Sequence, residues 1–387
     1  MEHFDVLIVG GGHGGAQCAI ALRQQGYAGS VAIVGEEPDL PYERPPLSKD
    51  YLAGERPFER LLIRPLAFWD ERAVAMRLGR RVEAIDADAH EAVLSDGTRL
   101  GYGSLVWAAG GVPRRLPGGG HVIRCRADVD RIAAALPAAR RAVIVGGGYI
   151  GLEAAAVLAK LGKQVIVLEA EDRLLSRVAG APLSLFYEAE HIAHGVDVRT
   201  GVGFGPVETE PDDLVIVGIG VDPAAGPLAA AGAAGENGVD VDDCCRTSLA
   251  GVYAVGDCAA FVSRFAGGAR IRLESVQNAS DQAVVAAKAI AGRPEPYDSV
   301  PWFWSNQYDL KLQTVGLLHG HDDLVVRGEP GARSFSIVYL REGRVIALDC
   351  VNAVRDYVQG RKLILDGAEP DKRRLTDASV PLKDLIK

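Results

Sequence analysis

The sequence predicts an α/β protein built from two doubly wound parallel-sheet units and a smaller α+β unit at the carboxy end. Three observations carry that prediction. A strand, a glycine turn, a helix and a returning strand occur twice, at residues 4–36 and 141–169. Glycine is in excess, at 46 of 387 residues or about 12% against an average near 7%, with no collagen-like period and no Pro/Ser-rich tract to account for it. Beyond Pro301 the pattern changes to alternating runs such as FSIVYL and GRVIALDCV, which suit an antiparallel sheet with helices.

In order along the chain, FDVLIV (4–9) is short, apolar and rich in β-branched residues, as a buried strand is. A glycine cluster ends it, AQCAIALRQQ follows at helical spacing, Gly26 stops that helix, and VAIVGE returns as a strand from Val31. SLVWAAGG (104–111) is a further strand closing on a glycine turn. The unit then recurs as RAVIV (141–145), a glycine cluster, the helix GLEAAAVLAKL, a stop at Gly162 and the strand QVIVLE from Gln164. Two more strands with glycine-bearing ends follow, LVIVGIG (214–220) and VYAVGDCA (252–259). The expected domains are residues 1–104 with 240–301, residues 105–239, and residues 302–387.

Composition narrows the function. The length and 48% apolar content suffice for two or three packed cores, which excludes disorder and a disulfide-stapled module. A formal charge of −9 disfavours wrapping a polyanion, so nucleic acid is not the expected partner. The cysteines at 18, 125, 244, 245, 258 and 350 show no CxxC and no metal-type spacing, which reads as reduced thiols, no metal and a cytoplasmic location. The amino terminus carries acids where a signal peptide carries lysines, and apolar runs are broken within about 18 residues, so no membrane span is expected.

With this much glycine, chance alone gives about 0.6 occurrences of G-x-G-x-x-G, so the pattern needs context. Gly10, Gly12 and Gly15 follow a strand and open a helix, and Glu36 closes the next strand. Gly146, Gly148 and Gly151 repeat the arrangement with Glu169. This is the Rossmann-like dinucleotide turn: side chains there would block a pyrophosphate, which meets the unpaired N–H groups and dipole of the helix, while the acid takes a ribose. Glu169 repels a 2′-phosphate, so NADH is expected over NADPH, although Arg173 is close by. Two dinucleotide sites in one chain imply hydride exchange, most economically between nicotinamide and flavin.

At this point a family likeness becomes specific. PYERPPLSKDYL (41–52), GGGYIGLEAAAVLAKLG (146–162), VYAVGDCA (252–259), RLESVQNASDQA (272–283) and VPWFWSNQYDLKLQTVG (300–316) together resemble the NADH-dependent ferredoxin reductases. These are flavoprotein components of bacterial Rieske-type dioxygenase and cytochrome P450 electron-transfer chains. The resemblance implies a glutathione-reductase-like fold, with FAD in the first unit, NADH in the second and electrons passed singly to a [2Fe–2S] ferredoxin in aromatic hydrocarbon catabolism. It assigns Gly10, Gly12, Gly15 and Glu36 to the FAD adenosine half, Arg44 to its pyrophosphate, Lys49 to the isoalloxazine edge and Asp257 to the ribityl chain. Arg124 would contact an FAD phosphate, with Arg126 close enough to compete. Gly146, Gly148, Gly151, Glu169 and Gly220 would hold NADH. Glu153 would pair with Lys49, and Trp304 would stand near the flavin, so Lys49, Glu153 and Trp304 form the expected catalytic set.

Each assignment has a plainer counterpart. Arg44 and Lys49 could be solvated loop charges, Asp257 a helix cap, Glu153 a first-turn carboxylate favoured by the helix dipole, and some of Trp302, Phe303 and Trp304 core packing. The stretch 195–213 is shorter than such reductases usually carry, Ala109 stands where Thr is usual, and Asn306 where Asp is usual. A disulfide reductase or NADH oxidase needs a cysteine on the flavin-side loop, and residues 36–58 hold none. A rubredoxin reductase differs only in its acceptor, and an apoptosis-inducing-factor-like binding flavoprotein would call for a targeting peptide or basic insertion. Ferredoxin docking would fall to a local basic patch, Arg114 with Arg115 or Lys372 with Arg373 and Arg374. The expected assembly is a monomer or homodimer.

Overall fold

A computed structural model describes residues 1–202, 209–210 and 212–385. Its packing divides the chain into two units. The first comprises residues Met1–Arg44, Pro57–Val112 and Val221–Ser299; the second comprises Pro45–Arg56, Pro113–Gly220 and the chain from Val300 onward. The strand Arg99–Trp107 therefore runs on past position 104 within the first unit, and the carboxy-terminal sheet packs with the second.

In the first unit the described residues build a seven-stranded sheet in the order Val74–Leu78, Val31–Gly35, Glu2–Val9, Arg99–Trp107, Glu91–Leu94, Val82–Asp86, with Val252–Ala254 also paired to Arg99–Trp107. Glu2–Val9 runs parallel to both neighbours, with Val6 opposite Val31 and Leu7 opposite Leu105. Alternation of the pleat sends Leu7 and Val9 into one core with Leu105 and Trp107. It sends Val6 and Ile8 into another, lined by alanines of the helices His13–Gln24 and Val276–Ile290. Burial on both faces is why FDVLIV carries no alternation in sequence. The antiparallel pair Val82–Asp86 and Glu91–Leu94 went unread because it is short and exposes charge on one side.

The second unit holds a four-stranded parallel sheet in the order Asp197–Arg199, Gln164–Leu168, Arg141–Val145, Asp213–Val217. The helices Tyr149–Lys160 and Ala181–Ala193 belong to this unit. Its five-stranded antiparallel sheet has the order Trp302–Gln307, Leu310–Gly316, Arg344–Val351, Ser334–Arg341, Asp323–Glu329. The segment Pro45–Arg56 joins this unit through a 3₁₀ turn at Pro45–Ser48, where two prolines restrict the backbone. The shortened stretch 195–213 lies partly outside the described residues, at 203–208 and 211. Among the described residues no helix is long and apolar enough to cross a membrane.

Candidate functional site

The first glycine turn divides its residues between packing and access. Gly10, at φ +113°, leaves no room for a side chain, since a Cβ there would lie 2.3 Å from the Ala108 carbonyl oxygen. A Cβ on Gly15 would lie 1.9 Å from the Gly10 oxygen. Gly11 faces open space, and Gly12 has only Arg44 Nε nearby, 3.7 Å from where its Cβ would be. Gly12 caps the helix His13–Gln24 with no side-chain hydrogen bond, and the first turn carries no acid. Unfilled space, open helix donors and a guanidinium across the turn fit the pyrophosphate of a dinucleotide such as FAD. Arg44 is held in place: its Nη2 lies 2.6 Å from Glu37 Oε1, and Tyr42 also donates to Glu37. Glu36 itself is exposed at the strand end.

The second turn repeats this division. A Cβ on Gly146 would lie 2.4 Å from the Gly218 oxygen and one on Gly151 2.2 Å from the Gly146 oxygen, whereas Gly148 has nothing within 4 Å. Gly148 caps Tyr149–Lys160 without a side-chain bond, again with no acid in the first turn. Glu169 is fastened by backbone donors, Gly147 N–H at 2.6 Å and Glu171 N–H at 2.9 Å, which aim its carboxylate at the mouth of the turn. Arg173 is committed elsewhere: Nη1 donates to Ala179 O and Ser184 Oγ and Nη2 to Ser176 O, at 2.7–2.8 Å. Its guanidinium therefore serves the fold rather than a 2′-phosphate. Gly220, at φ +101°, faces the guanidinium groups of Arg177 and Arg114, 3.7 and 3.9 Å from where a Cβ would be.

Lys49 Nζ lies 2.5 Å from Glu153 Oε2, within the second unit. Glu153 is only 3% exposed. Ser48 Oγ donates to the same carboxylate oxygen and Ser305 Oγ to the other, each at 2.6 Å. Glu153 is the fifth residue of its helix, past the first turn, and its partners are side chains; the helix-dipole reading is thereby replaced by a three-donor clamp. The pleat of Trp302–Gln307 turns Ser305 and Gln307 to one side and sets Trp304 with Trp302 on the other, their rings 5.5 Å apart. Phe303, between them, packs on Tyr149 with ring centroids 4.7 Å apart. All three aromatics are half-buried.

Asp257 sits in a 3₁₀ turn, Gly256–Cys258, that leads directly into the strand Ala259–Ser263, so no helix follows for it to cap. That turn is pinned by Gly256 N–H donating to Gln282 Oε1 at 2.8 Å. Arg126 opens the helix Arg126–Ala135 and pairs with Asp130 at 3.3 Å, while Arg124 lies half-buried in the bend just before that helix. Lys372 pairs with Asp323 and Arg374 donates to the Asp384 carbonyl, which weakens that patch as a docking surface. None of the six cysteines is joined in a disulfide. Burial pushes the Cys18 thiol up to about 12 and that of Cys258 up to about 11, and raises those of Cys245 and Cys350, so none of these four is a thiolate at neutral pH. The loop thiol that disulfide-reductase chemistry requires is missing from residues 36–58.

Reading by sequence missed Ser48, Ser305, Glu37, Arg177 and the hydrogen-bonded residues behind Ser305. Serines in SK and WSNQ carry no spacing signal; only Glu37, next to Glu36, was within reach as an alternative acid.

The pyridine nucleotide-disulphide oxidoreductase family matches residues 4–283, and the reductase C-terminal family matches residues 302–386. The 5,5′-dehydrodivanillate O-demethylase ferredoxin reductase subunit of Sphingobium sp. is 58% identical, over 100% of this chain and 99% of that protein. Putidaredoxin reductase of Pseudomonas putida is 38% identical, over 99% and 96%. Among solved structures, the covalent putidaredoxin reductase–putidaredoxin complex matches with a TM-score of 0.94 at 38% identity, covering 99% of this chain and 98% of that chain.

Proposed function

The chain belongs to the pyridine nucleotide-disulphide oxidoreductase family, and from that premise we propose how its own residues do the work of a ferredoxin reductase. It is an FAD-dependent oxidoreductase that takes hydride from NADH and delivers electrons to a ferredoxin. The observation that carries the residue-level reading is the pair of open, uncapped glycine turns in one chain, with Lys49 clamped to a buried carboxylate beside the second. In this reading the unit that holds the first glycine turn serves FAD and the unit that holds the second serves NADH.

Bound FAD supplies acceptance of a hydride and release of its two electrons one at a time. Gly10, Gly12 and Gly15 let the helix N–H groups reach its pyrophosphate, Arg44 neutralises that charge, and Glu36 and Asp257 accept from ribose and ribityl hydroxyls. Arg124 adds a phosphate contact. Gly146, Gly148, Gly151 and Gly220 admit NADH, and Glu169 accepts from its adenosine ribose while disfavouring a 2′-phosphate. Lys49, oriented by Glu153, would hold a fixed positive charge at the flavin's edge, and Trp304, on the opposite face of its strand from Ser305, would stand between the flavin and the protein surface. Hydride transfer needs no general acid or base, so orientation and electrostatics are the protein's contribution.

The proposed acceptor is a [2Fe–2S] ferredoxin feeding an oxygenase of aromatic compounds, the proposed location the cytoplasm and the proposed assembly a monomer or homodimer. The names of the relatives support this choice of acceptor chain. The test is reduction of ferredoxins from Rieske-oxygenase and P450 systems by the purified, FAD-loaded protein with NADH. Steady reduction of at least one is expected. A folded protein that binds no flavin, or that reduces no [2Fe–2S] ferredoxin, would sink the assignment.

A further inference from the structure

Behind the Lys49–Glu153 pair a file of buried polar side chains runs through the second unit. Ser305 Oγ donates to Glu153 Oε1 at 2.6 Å, and Gln307 Nε2 donates to Ser305 Oγ at 3.2 Å. Gln307 Oε1 lies 2.9 Å from His191 Nε2, and His191 Nδ1 lies 2.9 Å from the Tyr308 hydroxyl. Ser305, Gln307 and His191 are each at most 1% exposed. At the outer end the exposed His194 stacks on Tyr308, with ring centroids 3.7 Å apart and planes 13° apart. Arg333 ties Glu190 and Asp309 together beside them.

The hydrogen atoms in this file have one consistent arrangement. A carboxylate only accepts, so the Ser305 O–H points at Glu153 and its oxygen is left to accept from the Gln307 amide. That sets Gln307 with its carbonyl oxygen toward His191, which must then donate from Nε2 and accept at Nδ1, where the Tyr308 O–H points in turn. Every donor points toward Glu153. Burial supports the neutral imidazole that this order requires, since it pushes His191 down to about 4. Burial also raises the Tyr308 hydroxyl, which stays a donor. Hydrogen bonds polarised in one direction reinforce one another, and a chain ending on a buried carboxylate restricts that carboxylate's rotamer. Ser48 and Lys49 occupy the other oxygen, so loss of the Ser305 donor leaves Oε1 without its protein partner.

We propose that His191, acting through Gln307 and Ser305, is a positioning residue for the Lys49–Glu153 pair, and that the Tyr308-to-Glu153 relay sets where the Lys49 ammonium stands. This rests on the reading of Lys49 as the flavin-side cation. Because each residue acts through the next, the effect of a break falls with distance from Glu153 and disappears once Glu153 cannot accept as an anion.

The test uses the FAD-loaded protein and stopped-flow reduction by NADH, together with the flavin midpoint potential and ¹⁵N NMR of histidine. Ser305→Ala should slow hydride transfer about tenfold, Gln307→Leu about fourfold and Tyr308→Phe about twofold, each with a matching order of shifts in flavin potential. In a Glu153→Gln background the last two substitutions should add nothing. The His191 resonances should show the neutral Nε2–H tautomer at pH 6. Tyr308→Phe removes one hydroxyl from a half-buried ring and keeps the question answerable if Gln307→Leu misfolds. Rates and potentials unchanged in Tyr308→Phe, effects that persist beside Glu153→Gln, or an Nδ1–H tautomer would overturn the relay. If Lys49→Met and Glu153→Gln are themselves silent, the Lys49 reading fails and the relay falls with it.

Discussion

The division of labour within the second glycine turn can be tested by adding one carbon at two places. Gly148 has φ −80° and ψ 175°, a conformation alanine adopts freely, and its Cβ would meet nothing within 4 Å. Reduced freedom of the unfolded chain favours alanine by about 0.4–1 kcal/mol, while alanine's poor performance as a helix cap costs about as much. The melting temperature of Gly148→Ala should therefore stay within about 2 °C of wild type. On the proposed reading the new methyl would stand where the NADH pyrophosphate approaches the helix N–H groups. Loss of one charge-assisted hydrogen bond is worth about 1.5–3 kcal/mol, or a fall of about 10- to 160-fold in kcat/KM for NADH. In Gly151→Ala the methyl would instead lie 2.2 Å from the Gly146 carbonyl oxygen and 3.2 Å from Ile144 Cγ2. Backbone must move, which costs about 1–3 kcal/mol and lowers the melting temperature by roughly 2–12 °C. Scanning fluorimetry and steady-state kinetics with an artificial acceptor, at matched FAD content, read both quantities. Gly148→Ala melting as low as Gly151→Ala, or keeping wild-type kcat/KM for NADH, would refute the assignment of Gly148 to ligand access.

Three further outcomes follow from the same geometry. Asp349 is fully buried, accepts from Tyr339 O–H at 2.6 Å, and is pushed by desolvation from the ordinary carboxylate range up to about 7. A raised folded-state value means its stability contribution is complete below about pH 4 and is lost as pH rises through 7, by about 4 kcal/mol. Asp349→Asn should flatten that part of the stability curve in urea titrations at pH 4.5 and 7.5, and an unchanged slope would contradict the shift. With Glu169 fastened at the second glycine turn and the Arg173 donors taken up by Ala179, Ser176 and Ser184, the proposed reading expects kcat/KM for NADH to exceed that for NADPH at least tenfold, and Glu169→Ala to narrow the gap; a wild-type preference for NADPH refutes this. Alkylation with iodoacetamide should leave NADH oxidation intact, because the thiols of Cys18, Cys245, Cys258 and Cys350 are buried and protonated; inactivation traced by peptide mapping to one of them would count against a thiol-free mechanism.

Much of the fold was legible because its signals are local. Arg141–Val145, Tyr149–Lys160 and Gln164–Leu168 follow one another within 28 residues, and each has its own marker: a β-branched run, a glycine turn, an alanine-rich helix, a stop at Gly162. The strands Val82–Asp86 and Glu91–Leu94 had no such marker, and neither did the choice between Glu36 and Glu37 for pairing with Arg44. That choice depends on how the segment after Gly35 folds back, which brings Tyr42 and Arg44 onto Glu37.

Sequence by itself determined that the chain holds two dinucleotide turns, because strand, glycines, helix and acid lie within about 33 residues and each element is dictated by its own composition. Only the tertiary structure decided what surrounds Glu153 and what occupies Arg173. Ser48 and Ser305 reach Glu153 from 105 and 152 residues away, and a serine hydroxyl announces no partner until packing removes water from around it. Arg173 looked available to a phosphate, but three acceptors that exist only after the chain turns at 176–184 have already taken its donors. Local chemistry specifies which groups are present; burial and long-range closure specify which of them remain to meet a ligand.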